Sequence, residues 1–153
     1  MDKVEKIASF CVDHDRIVPG IYISRIDKDI TTYDLRTRTP NANSYIDDVT
    51  MHSVEHMLAT FMRNSSISNN VIYFGPMGCR TGFYLLVRNE PKERVLDELI
   101  LALEKTLKHE GEVFGANRTE CGNYLCLDLE SAKRECRMYL DILNSRNHDF
   151  KYY

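Results

Sequence analysis

The chain has 153 residues, of which 43% are hydrophobic and 28% charged, and its net charge is −3 at pH 7. This length fits one domain, over residues 1–153, and the composition is ordinary for a soluble globular protein. No basic stripe interleaved with aromatic residues occurs, which argues against nucleic acid as a partner. Neither a signal-peptide pattern nor a membrane-spanning run is present, so we expect no membrane association. The five cysteines lack the spacing of a disulfide scaffold, which favours a reducing cytoplasm.

The first part of the chain predicts two strands and a helix. Ile21–Ile26 and Thr31–Arg38 are rich in β-forming residues and are separated by a polar turn at 27–29. Apolar and charged residues alternate in the second stretch, which predicts a half-buried strand. After a loop, a helix is predicted from Val49 to Asn64. The residues available to cap its start are Asp47, Asp48 and Thr50.

The second part of the chain predicts two more strands and two helices. The strands are Val71–Phe74 and Gly82–Val87, joined by a glycine-rich turn. The second helix opens at Asn89-Glu90-Pro91, because proline is tolerated in the first helical turn, and Gly111 is expected to cap its end. The third helix is predicted over Leu129–Leu143. Because strands and helices do not alternate regularly, we expect an α+β fold with two layers, a mostly antiparallel sheet covered by helices.

The most informative motif is H-x-x-E-H at residues 52–56. On a helix, His52 and His56 lie on one face, one turn apart, with Glu55 beside them. Two neutral imidazoles at this spacing can bind one divalent metal, and an adjacent carboxylate can move protons there. The alternative interpretation is a hydrogen-bonded or solvated histidine pair without a metal. A third ligand would favour the metal site.

Two cysteines stand in polar, glycine-containing segments. Cys121 is the candidate third ligand, because two histidines and one thiolate leave a fourth position open for water or substrate. Such a donor set suits Zn²⁺ or Fe²⁺ better than Mg²⁺ or Ca²⁺. Cys79 precedes Arg80, which could favour a thiolate that acts as acid and base, although a strand-entry residue without chemistry is the alternative. The remaining cysteines are expected to be packing residues: Cys11, Cys126 and Cys136.

Taken together, these motifs resemble those of the S-ribosylhomocysteine lyases, the enzymes that generate the precursor of the autoinducer-2 signal. The resemblance extends over nearly the whole chain, and its segments follow the order of the family. The matching segments are SFCVDH at 9–14, YDLR at 33–36, HSVEH at 52–56, GPMGCRTG at 75–82, CG at 121–122 and DLESAKR at 128–134.

The resemblance implies an enzyme that cleaves the thioether of S-ribosyl-L-homocysteine to L-homocysteine and 4,5-dihydroxy-2,3-pentanedione, by carbonyl migration and β-elimination. It implies Fe²⁺ as the metal, with Zn²⁺ or Co²⁺ as substitutes, and a homodimer whose active sites lie at the subunit interface. The residues it assigns are His52, His56 and Cys121 as metal ligands, Cys79 and Glu55 as acid–base groups, and Ser9, His14 and Arg36 as lining the substrate pocket.

An inverzincin-type zinc metallopeptidase is the first alternative function, because H-x-x-E-H also occurs in that class. Glu55 would then activate a zinc-bound water, and Glu130 or Glu135 would serve as the third ligand. This alternative gives Cys79 and Cys121 no role.

A non-catalytic module with a closed structural metal site is the second alternative. It needs a fourth protein ligand, for which His109 or His148 is available, although neither has a suggestive spacing.

Two parts of the chain are not explained by the resemblance. Residues 73–75 are Tyr-Phe-Gly where the similar family has Asp-Ile-Ser, so no contact of that aspartate is expected from Tyr73. The C-terminal Lys151-Tyr152-Tyr153 is compatible with a loose end or with a docked tail, and the sequence does not decide between them.

Overall fold

The computed structural model describes residues 3–153 and contains one antiparallel sheet with three helices packed against it. The strands are β1 (Gly20–Asp27), β2 (Ile30–Arg36), β3 (Val71–Pro76) and β4 (Gly82–Arg88), in the order β1-β2-β4-β3. The helices are α1 (Asp48–Arg63), α2 (Lys92–Lys108) and α3 (Leu129–Asn144). This arrangement confirms the predicted α+β class. No helix among the described residues combines the length and apolar character needed to cross a membrane.

The hydrophobic core lies between one face of the sheet and the three helices. Its largest members are fully buried, and they come from alternate positions of the strands and from the apolar stripes of the helices. They include Ile21, Tyr33, Leu35, Phe83 and Leu85 from the sheet and Val54, Met57, Leu58, Leu99, Leu103, Cys136 and Tyr139 from the helices. The stripe of α1 therefore points into the core and leaves its histidine face for other contacts.

The helix ends are fixed by local hydrogen bonds. The carboxylate of Asp47 accepts from the backbone N–H of Thr50 at 2.8 Å, which confirms one of the predicted caps of α1. The predicted cap at Gly111 is wrong. Helix α2 ends at Lys108, because His109 adopts an extended backbone (φ −64°, ψ 137°), and Gly111 lies in the loop beyond.

Strand β2 differs from its prediction at its end. It stops at Arg36, two residues earlier than expected, because the N–H groups of Thr37 and Arg38 both donate to the carbonyl of Thr81 at 3.1 Å. That shared acceptor lies in the turn before β4 and ends the regular ladder.

The second face of the sheet is also covered, so the expected half-buried β2 is wrong. Asp34 and Arg36 point away from the helices, yet each is only 3% exposed. The N-terminal turns and Tyr152 lie over this face, where the hydroxyl of Tyr152 contacts Asp34, whereas Phe150 packs in the core and its carbonyl accepts from the edge strand β1. Two polar side chains are thereby held in a buried environment.

The cysteines divide by burial, and all five are free. Cys136 is buried in the core, as predicted, and burial raises the pKa of its thiol to about 12. Cys126 is half-buried. The prediction of a packing role is wrong for Cys11, which is exposed because it lies in the short N-terminal turns rather than in a core element.

Candidate functional site

Helix α1 presents two imidazoles to one thiol. The Nε2 atom of His52 lies 3.4 Å from Sγ of Cys121, and Nε2 of His56 lies 3.8 Å from the same sulphur. The three candidate ligand atoms are within 4.8 Å of one another, and all three residues are half-buried. The structure therefore brings together a group of two nitrogens and one sulphur that could hold a metal ion.

The other ring nitrogen of each histidine contacts a backbone carbonyl. Nδ1 of His52 donates to the carbonyl of Cys126 at 2.8 Å, and Nδ1 of His56 donates to that of Phe114 at 2.7 Å. Because a carbonyl oxygen only accepts, each Nδ1 carries the proton, and each Nε2 directs its lone pair toward Cys121. Metal-ligating histidines are oriented in this way. The residues present therefore fit a borderline-soft divalent ion.

The loop that carries Cys121 approaches α1 closely at Gly115. This residue has φ 73°, and a Cβ atom placed there would lie 3.3 Å from Nδ1 of His56. A larger residue would be strained and crowded, which is the reason for glycine at this position. Within the loop, the N–H of Cys121 donates to the carbonyl of Asn117 at 3.1 Å, and the N–H of Asn123 points at the sulphur from 3.4 Å. The thiol is thus held by its own loop.

Glu55 lies on α1 between the two histidines in sequence and is half-buried. Its carboxylate makes no side-chain hydrogen bond to any residue between 3 and 153. The carboxylate therefore has no structural hydrogen-bond partner among these residues.

Cys79 is exposed in the turn between β3 and β4, and its sulphur faces a buried arginine. Sγ lies 3.1 Å from Oγ1 of Thr81 and 3.9 Å from Nη1 of Arg36, which donates to Thr81 at 2.8 Å. The sulphur thus lies beside a hydroxyl and a guanidinium. Burial acts to lower the pKa of Arg36, but contacts with Tyr152 and Asp34 raise it overall, so the guanidinium stays charged.

Arg80 pairs with an acidic residue of α1 rather than with Cys79. Its guanidinium lies 2.8 Å from the carboxylate of Asp48. Its backbone has φ 64°, and its carbonyl accepts from the N–H of Ile46 at 2.9 Å. Both contacts attach the turn to the start of α1. Because Asp48 precedes His52 by about one helical turn, the Cys79 turn and the histidines share one anchoring element.

The three residues expected to line the substrate pocket lie around Asp34. Ser9 is in a 3₁₀ turn and borders a cavity of about 130 Å³ together with Asp34 and Tyr84. His14 lies in the next 3₁₀ turn. Burial raises the pKa of Asp34, and Tyr152, Arg36 and the positive charge of His14 oppose this rise. Arg36 follows Asp34 on the same face of β2, with Nη2 3.8 Å from the carboxylate. This polar face is opposite the helices.

The residues required by the alternative functions lie outside the metal-binding group. Glu135 is buried and accepts from Nε of Arg38 at 3.0 Å, and Glu130 is exposed in the first turn of α3. His109 and His148 each direct Nε2 to a backbone carbonyl, at 2.8 and 3.1 Å. Among the described residues, the group that could hold a metal contains none of these four.

Comparison with known proteins places these features in a family. A family model described as S-Ribosylhomocysteinase (LuxS) matches residues 7–149. The S-ribosylhomocysteine lyase of Finegoldia magna is 42% identical over 147 residues, 93% of this chain and 94% of the relative. Lyases of the same name from Borrelia garinii subsp. bavariensis and Phocaeicola vulgatus are each 40% identical, over 97% and 98% of this chain and 99% and 98% of their own lengths. The chain belongs to the S-ribosylhomocysteinase family.

Proposed function

We propose that the chain is an S-ribosylhomocysteine lyase that releases L-homocysteine and 4,5-dihydroxy-2,3-pentanedione, the autoinducer-2 precursor, from S-ribosyl-L-homocysteine. The observation that carries the proposal is the group of His52, His56 and Cys121, with both Nε2 lone pairs directed toward the sulphur. Relatives that bear this lyase name match the chain over nearly its full length. We propose that residues 1–153 act as a single metal-dependent lyase domain.

We propose Fe²⁺ as the metal, with Zn²⁺ or Co²⁺ as substitutes, and His52, His56 and Cys121 as its ligands. Two imidazoles and a thiolate suit these ions better than hard cations such as Mg²⁺. Three protein ligands leave room for an oxygen atom of the substrate. When bound, the ion supplies Lewis acidity that polarises the sugar carbonyl.

Cys79 is the proposed base for carbonyl migration. As a thiolate, it removes the proton from C2, next to the C1 carbonyl, and returns it to C1, while the hydroxyl proton on O2 passes to O1 through Glu55. The carbonyl thereby moves from C1 to C2. A second transfer moves it to C3. Arg36 and Thr81 support this role, because they contact the sulphur and favour its negative charge.

Glu55 is the proposed acid–base group for the elimination. With the ketone at C3, loss of the C4 proton forms a C4–C5 double bond as the C5–S bond breaks, and homocysteine leaves as its thiolate, which takes up a proton. The remaining C4 enol then loses its hydroxyl proton and gains a proton at C5, which gives the dione. The carboxylate of Glu55 is uncommitted among the described residues, and Glu55 lies between the two histidines in the sequence, which supports this role. Ser9, His14 and Arg36 are proposed to contact the substrate from the polar face around Asp34.

We propose a homodimer with active sites at the subunit interface, in the cytoplasm. Two large apolar side chains in segments that carry proposed site residues are exposed: Phe10, next to Ser9, is 68% exposed, and Leu125, in the Cys121 loop, is 81% exposed. Apolar side chains exposed in such segments support a surface that another chain covers. A thiolate ligand and five free cysteines fit a reducing compartment. Sedimentation velocity tests the dimer.

The activity is tested by incubating anaerobically purified, iron-loaded protein with S-ribosylhomocysteine and following free thiol with a chromogenic reagent. Protein without substrate gives the blank, because the five free cysteines also react. We expect thiol release that depends on substrate and on the metal. Absence of substrate-dependent thiol release from metal-loaded protein would overturn the proposed function.

A further inference from the structure

The C-terminal tail, defined here as residues 150–153, is docked on the sheet. Phe150 is 4% exposed and packs edge-to-face on Tyr33 with 6.1 Å between ring centroids. Its carbonyl accepts from the N–H of Ile23 at 2.8 Å. Tyr152 stacks on Tyr22 with centroids 4.4 Å apart and an interplanar angle of 10°. These contacts fix the direction of the Tyr152 hydroxyl.

That hydroxyl lies between two opposite charges. It donates to Oδ2 of Asp34 and accepts from Nε of Arg36 at 3.3 Å. Asp34 and Arg36 are neighbours on one face of β2, but their closest approach is 3.8 Å, which is too long for a direct hydrogen bond. Tyr152 therefore bridges a carboxylate and a guanidinium that are near enough to pair.

A direct pair between these charges would compete with the contacts of Cys79. At present Nη1 of Arg36 donates to Thr81 at 2.8 Å and faces the Cys79 sulphur at 3.9 Å. Charge-assisted pairs are strong where water is excluded, and both Asp34 and Arg36 are 3% exposed. We propose that Tyr152 is a positioning residue that keeps Arg36 on Thr81 and Cys79 by preventing its direct pairing with Asp34.

Among the titratable groups around Cys79, Arg36 is the cation whose position the Tyr152 bridge sets. Tyr84 on β4 and Tyr152 on the tail have pKa values raised by burial, so both phenols are neutral near neutral pH. His14, from the N-terminal turns, acts on Asp34. Asp34 is then the anion that competes with Cys79 for Arg36. The catalytic meaning of this arrangement rests on the proposed function, in which Cys79 is the base.

Tyr152→Phe tests the proposal, because it removes the hydroxyl and keeps a ring that can stack on Tyr22. The readout is the rate at which iodoacetamide alkylates Cys79 in the metal-loaded protein across a pH series, measured by mass spectrometry. The exposed Cys11 in the same molecule is the reference. We expect the neutral-pH rate at Cys79 to fall by about three- to tenfold, and the midpoint of its pH profile to rise, with Cys11 unchanged.

Tyr153→Phe is the matched control. The Tyr153 hydroxyl accepts from the N–H of Asp13 at 2.7 Å and does not contact Arg36, so the Cys79 profile should stay as in the wild type. An unchanged Cys79 profile in Tyr152→Phe would overturn the proposal. So would an equal decrease in both tail variants, which would indicate a general loosening of the tail.

An Asp34→Asn background shows whether Tyr152 acts by keeping Arg36 away from Asp34 or by a direct electrostatic effect on Cys79. Without the competing carboxylate, Tyr152→Phe should change the Cys79 profile little, and an undiminished effect would contradict the bridge. Tyr152→Phe alone leaves the buried carboxylate of Asp34 without its hydrogen-bond donor, which lowers stability. The Asp34→Asn background has no such carboxylate, so the test can be made there if the single variant is unstable. Alkylation needs no substrate, so its outcome is independent of the thiol-release assay. If that assay succeeds, kcat of Tyr152→Phe should fall at neutral pH and recover at higher pH.

Discussion

The metal-binding group and the cluster around Cys79 are built from different kinds of contact. His52 and His56 come from adjacent turns of one helix, and a single loop supplies Cys121 and both carbonyls that orient the rings. Arg36 and Thr81 come from separate strand ends, and Tyr152 comes from the end of the chain. The first group depends on one local interface, whereas the second depends on several distant segments. Each can therefore be disrupted separately.

The largest expected effect is the loss of the metal from Cys121→Ala. Removing one of three ligands should reduce the metal content of purified protein to background and abolish turnover. Elemental analysis measures the metal, and Glu130→Ala is the control that should retain it. Metal retained in Cys121→Ala but lost in Glu130→Ala would contradict the ligand assignment and favour a metallopeptidase arrangement.

Cys79→Ala should separate the two regions most clearly. We expect turnover to fall by about 10²–10⁴-fold, the usual contribution of a positioned acid–base group, with the metal content unchanged. Glu55→Ala should behave in the same way. The thiol-release assay and elemental analysis measure both quantities, with Cys11→Ala as the control that should keep normal turnover. Near-normal homocysteine release from Cys79→Ala would refute its role.

A smaller effect is expected from Arg38→Ala, which changes an ion pair to α3 that lies outside both groups. Arg38 pairs with Glu135, whose side chain is 3% exposed, and follows the strand that carries Arg36. Leaving that carboxylate without its donor should lower the free energy of unfolding by about 1–3 kcal/mol, measured by denaturant titration, without metal loss. Arg25→Ala breaks an exposed pair and should leave the stability unchanged. Equal effects of the two substitutions would contradict this expectation.

The smallest effect concerns the pH dependence of stability. Burial raises the pKa of Asp34 above its ordinary value of 3.8, although Tyr152 and Arg36 oppose the rise. The native state therefore binds more protons than the unfolded state in the acid range, and ionisation of Asp34 costs stability as pH rises through its native pKa. Asp34→Asn removes this pH-dependent contribution to the free energy of unfolding. Its free energy of unfolding relative to wild type should increase from strongly acid pH to neutral pH and then level off, and a difference independent of pH would contradict the assignment.

The helix-based part of the site could be predicted from the sequence because its determinants are local. The four-residue spacing places both histidines on one face, and the opposite stripe enters the core, as Met57 and Leu58 do. Cys121 could be named as a candidate because it lies in a polar loop. Gly115, which lets that loop approach His56, gave no signal beyond being a glycine in the same loop.

The cluster around Cys79 could be predicted only in part, because its contacts join distant segments. Alternation along β2 predicted an exposed Asp34 and Arg36, and it failed because the covering segments come from both ends of the chain. Thr81 is within a recognisable motif, but its contact with Arg36 depends on strand pairing. Tyr152 carries no local pattern, so its place on the sheet could not be read from the sequence.

The carbonyls that orient the two histidines have a consequence for how such a site can be transplanted. They belong to Phe114 and Cys126, which flank Cys121 on either side, so one stretch of backbone sets the tautomers and also delivers the sulphur. The helix motif alone does not fix the tautomers of the two histidines, and it does not supply the third ligand. Grafting residues 52–56 onto an unrelated helix should therefore give only weak metal affinity, and residues 114–126 would have to be grafted with them as a second half of the same module.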